Sequence, residues 1–147
     1  MSDVHTALGY VVITVNALAG VLGGWAWWRV RPTRTFWPLL RAGQLLVALE
    51  ALGGAVLLLE GRHLPRLHLI YGLVPLAVAF VAEQLRLASA ETVLAQRGLE
   101  GSADVAKLPE PDQRALVAVI IRRETGVMAA SALIVALLAM RAQGWLI

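Results

Sequence analysis

Residues Trp37 to Ala88 read WPLLRAGQLLVALEALGGAVLLLEGRHLPRLHLIYGLVPLAVAFVAEQLRLA, two apolar runs joined by the short segment Glu60–Arg66. A bilayer-spanning helix needs about 20 mostly apolar residues. The runs Trp37–Leu59 and Leu67–Ala88 both meet that length, and so brief a connection makes them an antiparallel pair. Working outward, Val4–Trp28 forms a span before the pair and Thr125–Met140 a span after it. The last is the shortest. Pro109 and Pro111 punctuate the preceding loop and Asp112 suits a helix cap, which predicts a longer helix from near Asp112. The third helix continues through Leu87–Arg97 until Gly98 and Gly101 end it. Helices of some 30 residues exceed the hydrocarbon core at about 1.5 Å per residue. Helices three and four should therefore project from one face as a charged hairpin, with the polar segment Gly98–Pro111 as a solvated connector.

Composition agrees. The chain has 147 residues, 59% hydrophobic and 16% charged, with mean hydropathy +0.70, whereas soluble domains carry about 25% charged residues. The reading is an all-α membrane protein: residues 1–147 form a single four-helix transmembrane domain, multi-pass in the cell membrane with the lipid bilayer as its surroundings. A net charge of +3 and an isoelectric point near 10.2 raise nucleic acid as a partner. The basic residues instead flank apolar spans, where membrane orientation and anionic headgroups account for them, so no nucleic-acid partner is expected. The absence of cysteine excludes disulfides, thiolate ligands and covalent c-type heme attachment. The first apolar run lacks a basic leader segment and a small-residue cleavage site, so it reads as a retained span.

Sorting the basic residues by face puts Arg29, Arg31, Arg34, Arg41, Arg86, Arg97, Lys107, Arg114, Arg122 and Arg123 on one side, against Arg62, Arg66 and Arg141 on the other. The positive-inside rule makes the first side cytoplasmic, with both termini and the loop Glu60–Arg66 outside and the long helices extended on the cytoplasmic side. Gly20 and Gly24 make a GxxxG, and Gly53 with Gly54 a second small patch, suited to close packing within the bundle or to a dimer interface. Trp25, Trp27 and Trp28 read as an inner aromatic belt, and Glu83, Arg86, Arg122, Arg123 and Glu124 as an interfacial charge network.

The chain has three histidines, His5, His63 and His68. This topology places all of them near the outer face, with His5 and His68 at similar depths because helices one and three both run inward from there. A transmembrane b-type heme needs two axial ligands on different helices and cations near its propionates. His5 and His68 offer the ligands, Arg62 and Arg66 the cations. The alternative is a solvated terminal His5 and an interfacial His68. His63 in the loop, or Met140 at the outer end of helix four, could stand in for His5, although Met140 and Met128 suit core packing better.

The stretch Arg41–Gly72, RAGQLLVALEALGGAVLLLEGRHLPRLHLIYG, resembles the heme A synthase family. In that family an LGG step in one helix is followed by a short external loop containing LP and then a helix opening with a ligand histidine. Here these are Leu52-Gly53-Gly54, Leu64-Pro65 and His68. The first helix fits as well, opening with His5 and ending in Trp25–Trp28 and Arg29-Val30-Arg31-Pro32. The resemblance covers about residues 1–85 and implies heme b held by His5 and His68 in a chain corresponding to one four-helix half of the family architecture. A homodimer would restore the second half. The family's glutamate before its first histidine has no counterpart in Met1–Val4, and its external cysteine pair is missing. Those departures favour an electron carrier or heme-handling protein, with a quinone or redox protein as partner, over a heme-modifying oxygenase.

Glu50, inside helix two, must face the bundle interior, because a carboxylate at that depth is costly unless it is protonated or paired. A hydrogen bond to Asn16 or to a cofactor, or a proton relay, would serve. Tyr71 lies one turn after His68 and can line the same pocket or anchor the interface. A reading without heme makes the chain a small transporter with Glu50 as its proton-coupling site, or a subunit that assembles a larger complex.

Overall fold

The computed structural model describes residues 3–31, 33–61, 63 and 65–146 with their side chains, and the backbone of residue 2. Five helices follow in order: α1 (Ser2–Arg29), α2 (Phe36–Leu59), α3 (Arg66–Gln96), α4 (Ser102–Val105) and α5 (Glu110–Ala142). Among the described residues, α1, α2, α3 and α5 are each long and apolar enough to cross a membrane, the architecture of a multi-pass membrane protein. At 31 and 33 residues, α3 and α5 reach roughly 45–50 Å, well beyond a hydrocarbon core of about 30 Å. Both helices are thus longer than such a core requires.

Two boundaries differ from the sequence reading. The last long helix starts at Glu110, with Pro109 at its cap position and Pro111 in its first turn, where a missing N–H costs nothing. Asp112 therefore sits inside that first turn instead of capping it, and the Gln113 side chain donates back to the Leu108 carbonyl at 2.8 Å. Gly98 ends α3, but Gly101 is extended and opens α4, its carbonyl accepting from the Asp104 and Val105 N–H groups.

All four long helices close on a residue in the left-handed region: Val30 (φ 53°), Gly61 (φ 79°), Gly98 (φ 67°) and Gly144 (φ 77°). At Gly98 the Leu99 N–H reaches the Leu94 carbonyl at 3.0 Å and the Gly98 N–H the Ala95 carbonyl at 3.0 Å. This paired bonding satisfies carbonyls that the helix end leaves open. The same two bonds recur around Val30, from Arg31 to Ala26 at 3.1 Å and from Val30 to Trp27 at 3.3 Å. A β-branched residue there is strained, since its Cβ crowds the following carbonyl.

Packing follows a ring in which α1 lies between α2 and α5, and α3 lies against α5. The seam between α2 and α3 is sparse. One buried cluster gathers Phe36, Leu40, Met128 and Ala132 with Ala19, Ala82 and Ala129; a second gathers Val12, Ile13, Val47, Val135 and Ala139. Met140 packs against the second cluster, in keeping with a core role. The GxxxG pair divides: a side chain at Gly20 would meet Leu133, whereas Gly24 faces open space. Gly20 therefore lets α1 approach α5, and the motif is not a single contact surface.

The charge network is wider than the sequence suggested. Glu83 on α3 accepts from Arg86 at 2.9 Å, from Gln44 at 3.0 Å and from Arg41, both of the latter on α2, and Arg86 reaches Glu124 of α5 at 3.7 Å. Arg122 turns instead to the face of Trp27, 5.5 Å from its centroid. Trp25 and Trp28 point outward, as a belt requires.

Candidate functional site

The antiparallel register of α1 and α2 decides what meets what at the other end. The buried Asn16 amide donates to the Val12 carbonyl at 2.9 Å and to the Gly43 carbonyl at 3.5 Å. Gly43 leaves the room, since a Cβ there would lie 2.8 Å from the amide oxygen. Counting back from Asn16 along α1 and forward from Gly43 along α2, about two turns bring Gly9 against Glu50 and about three bring His5 against Gly54. The expectation that Glu50 bonds Asn16 is thereby corrected. Glu50 sits about two turns nearer the end of the bundle, and its partner is His5, whose Nδ1 lies 3.3 Å from Glu50 Oε1.

His5 is held in a cradle of small residues. Ideal Cβ atoms at Gly53 and Gly54 would lie 3.5 and 3.7 Å from its ring, ordinary contact distances, so atoms beyond a Cβ would have to compete with the imidazole for space. His68, from the first turn of α3, approaches from the other side, with ring centroids 5.9 Å apart and planes at 63°. Its Nδ1 lies 3.1 Å from the Ala142 carbonyl at the end of α5. The Ala142 carbonyl can only accept, so His68 donates from Nδ1 and keeps its Nε2 lone pair available. Both ring nitrogens of His5, and Glu50 Oε2, are buried without a hydrogen-bond partner.

A cavity of about 240 Å³ lies between these groups, lined by His5, Glu50, Gly54, Ala55, His68 and Gly72 among others. It follows the sparse seam between α2 and α3. Behind Glu50 lies a smaller void of about 30 Å³, bounded by Gly9, Tyr71, Pro75 and Gln143, room for about one water. Tyr71 therefore faces this second void, with the Arg141 guanidinium 5.4 Å over its ring, and it does not line the cavity between the histidines.

The remaining expected site residues are apart. Arg66 opens α3 and is exposed, His63 is exposed in the connection, and Arg62 lies outside the described residues. Sequence reading missed Gln143, whose side chain packs on Gly9, and it used Arg141 only as a topological charge. The signal was available: α5 is antiparallel to α3, so its last turn must arrive beside the first turn of α3. Gly72 was also missed; a Cβ there would meet nothing within 4 Å.

Among the described residues, no three His, Cys, Asp or Glu side chains converge closely enough to hold a bare metal ion. Two imidazoles with free Nε2 atoms suit instead a metal that brings other ligands with it. Comparison with family models, curated proteins and solved structures finds no match.

Proposed function

We propose that the protein is a membrane cytochrome-like chain that holds heme b between His5 and His68 on the outer side of the membrane and works in electron transfer or heme handling. The observation that carries this reading is the pairing of the two imidazoles. Rings that share one metal through nitrogens about 2 Å from it on opposite sides have centroids roughly 6 Å apart, and these stand 5.9 Å apart. Metal-bound imidazoles commonly donate their other N–H to a carboxylate or a backbone carbonyl, which fixes the ring and raises its basicity. The Ala142 carbonyl takes that position for His68, and Glu50 Oε1 stands 3.3 Å from His5 Nδ1.

The cavity, about 240 Å³, is somewhat below the ~300–1,000 Å³ of enclosed small-molecule sites. A flat macrocycle would extend from it along the open seam between α2 and α3, where Gly54, Ala55 and Gly72 keep the walls low. Arg66 and Arg62 are the cations assigned to its propionates. Bound heme b supplies a one-electron couple. The protein's part is to fix both imidazoles, to line the site with apolar walls and to orient His5 through Glu50. A quinone or a redox protein fits as electron partner. The absorption spectrum of the purified protein, with added hemin, tests the reading. A Soret band is expected that His5→Ala and His68→Ala each abolish while helical content is unchanged. A colourless protein that hemin does not colour, or a band indifferent to both substitutions, overturns it.

The second reading, a non-heme transporter with Glu50 as proton-coupling group, draws on the same His5–Glu50 pair and the adjoining water-sized void. It requires proton-linked uptake in vesicles that Glu50→Gln abolishes, in a protein that takes up no hemin.

A further inference from the structure

The opposite end of the bundle carries a second feature that the histidine site does not use. α1 stops at Arg29 while α5 runs past it as far as Glu110. One face of α5, from Thr125 back to Glu110, is therefore left partly uncovered, and a groove of about 430 Å³ lies between it and the end of α1. Its floor is apolar, with Ala118 and Ile121 on α5, and Trp27 forms a wall. Three arginines line it, Arg31, Arg114 and Arg122. Arg114 is neutralised by Glu110 one turn earlier. Among the described residues neither Arg31 nor Arg122 has a carboxylate within ion-pair distance, and Arg122 rests on the Trp27 ring.

We infer that this groove binds one anionic phospholipid, its phosphate held by Arg31 and Arg122 over the Ala118–Ile121 floor and an acyl chain leaving past Trp27 toward Thr125. Three features select this occupant. The unpaired charge is positive and next to an apolar trough, so the complement is an amphiphile with an anionic head. The groove is walled by Trp27, in the same stretch of α1 as the exposed Trp25 and Trp28, and aromatic residues of this kind mark the headgroup level. Arg31, Glu110 and Arg114 line one end of the groove and Ala26, Trp27 and Thr125 the other, so its charge is denser at the end away from the apolar run Thr125–Met140. A lipid of the arginine-rich leaflet would enter in that orientation. Basic pockets between membrane helices recognise lipid heads in this way, and two arginines at the strength usual for such sites correspond to roughly 30-fold preference over a zwitterionic lipid.

Native mass spectrometry of the detergent-solubilised protein, titrated with phosphatidylglycerol or phosphatidylcholine of the same chain length, tests the assignment. One phosphatidylglycerol per chain is expected to be retained about 30-fold more tightly than phosphatidylcholine. R31Q/R122Q should remove most of that preference, and Arg34→Gln, a charge lost at the same end but outside the groove, should leave it intact. Because Arg122 also contacts Trp27, Ala118→Trp serves as a second variant; it fills the floor, keeps both arginines and should expel the lipid. Helical content and elution volume verify that each variant folds. Equal retention of the two lipids overturns the proposal, as does retention unchanged in R31Q/R122Q or a loss as large in Arg34→Gln. Full displacement of the lipid by glycerol phosphate would make this a phosphate site without acyl recognition, which also overturns it. So would phosphatidylglycerol found only on dimers, since the groove would then be an interface between copies.

Discussion

At the arginine-rich end, Phe36, Leu40 and Met128 fill the space between helices, and Glu83 accepts from Arg41, Gln44 and Arg86. At the histidine end, His5, Glu50 and His68 leave cavities of about 240 and 30 Å³, and Glu50 has a single imidazole contact at 3.3 Å. The same helices build both ends, so the difference is one of side chains and not of architecture. Stability is concentrated where bulky apolar groups and saturated ion pairs meet. At the histidine end glycines and unpaired polar atoms leave room between the helices, whereas the groove at the arginine-rich end lies beyond this packed core, along the part of α5 that α1 does not cover. A site that must receive a ligand cannot already satisfy all of its own groups.

The largest effect expected from this contrast is at Phe36. Phe36→Ala should cost about 3–5 kcal/mol of stability through the lost ring and the cavity left behind, measured by unfolding in mixed micelles, while leaving hemin uptake at the other end intact. Next is a matched pair of carboxylates. Glu83→Ala removes the shared acceptor of Arg41, Gln44 and Arg86, leaving Arg86 only Glu124 at 3.7 Å, and should cost about 2 kcal/mol, whereas Glu50→Ala should barely shift the same unfolding curve; equal losses would erase the distinction between the ends. Third, Gly54→Leu places a side chain against the His5 ring and into the cavity. It should weaken hemin binding at least about tenfold, or ~1.4 kcal/mol, in a titration followed at the Soret band, with little change in unfolding.

Smaller effects lie in the connections. Val30→Gly should stabilise the fold by about 1 kcal/mol, because glycine takes the left-handed conformation without crowding a carbonyl, although a more flexible unfolded chain offsets part of the gain. The smallest effect is at Asp104, where the hydrogen bond from Lys107, with one from the Glu100 N–H, holds the carboxyl below its usual range. A lowered folded-state value means that this turn is supported at neutral pH and loses support only as pH falls through that lowered value. A carboxyl titration followed by NMR checks it, and an Asp104 midpoint at or above the ordinary value would contradict the assignment.

Much of the fold was legible along the chain. Hydropathy located four spans, Gly98 announced the end of α3, and the positions of His5 and His68 at the starts of two helices running the same way brought them to one end. Asn16 shows where the reading fell short. Counting outward from the short α1–α2 connection sets Asn16 opposite about residue 49, beside Glu50, whereas in the structure α1 runs past the start of α2, with Phe36 against Gly23, so that Asn16 meets Gly43 and His5 meets Gly54. Val30 gave no signal, because nothing in a valine announces a left-handed helix end.

The presence and approximate extent of the four long helices were determined by the sequence alone, since hydropathy accumulates locally along each segment and a span needs no partner to be recognised. Which face of each helix turns inward was decided only by the tertiary structure. These helices are apolar all round, and lipid and protein interior make similar demands on a side chain, so no polar stripe marks the buried face. The open α2–α3 seam, the hydrogen bond from His68 to the end of α5 and the meeting of His5 with Glu50 all depend on that choice. They follow from which small residues allow which pairs of helices to approach.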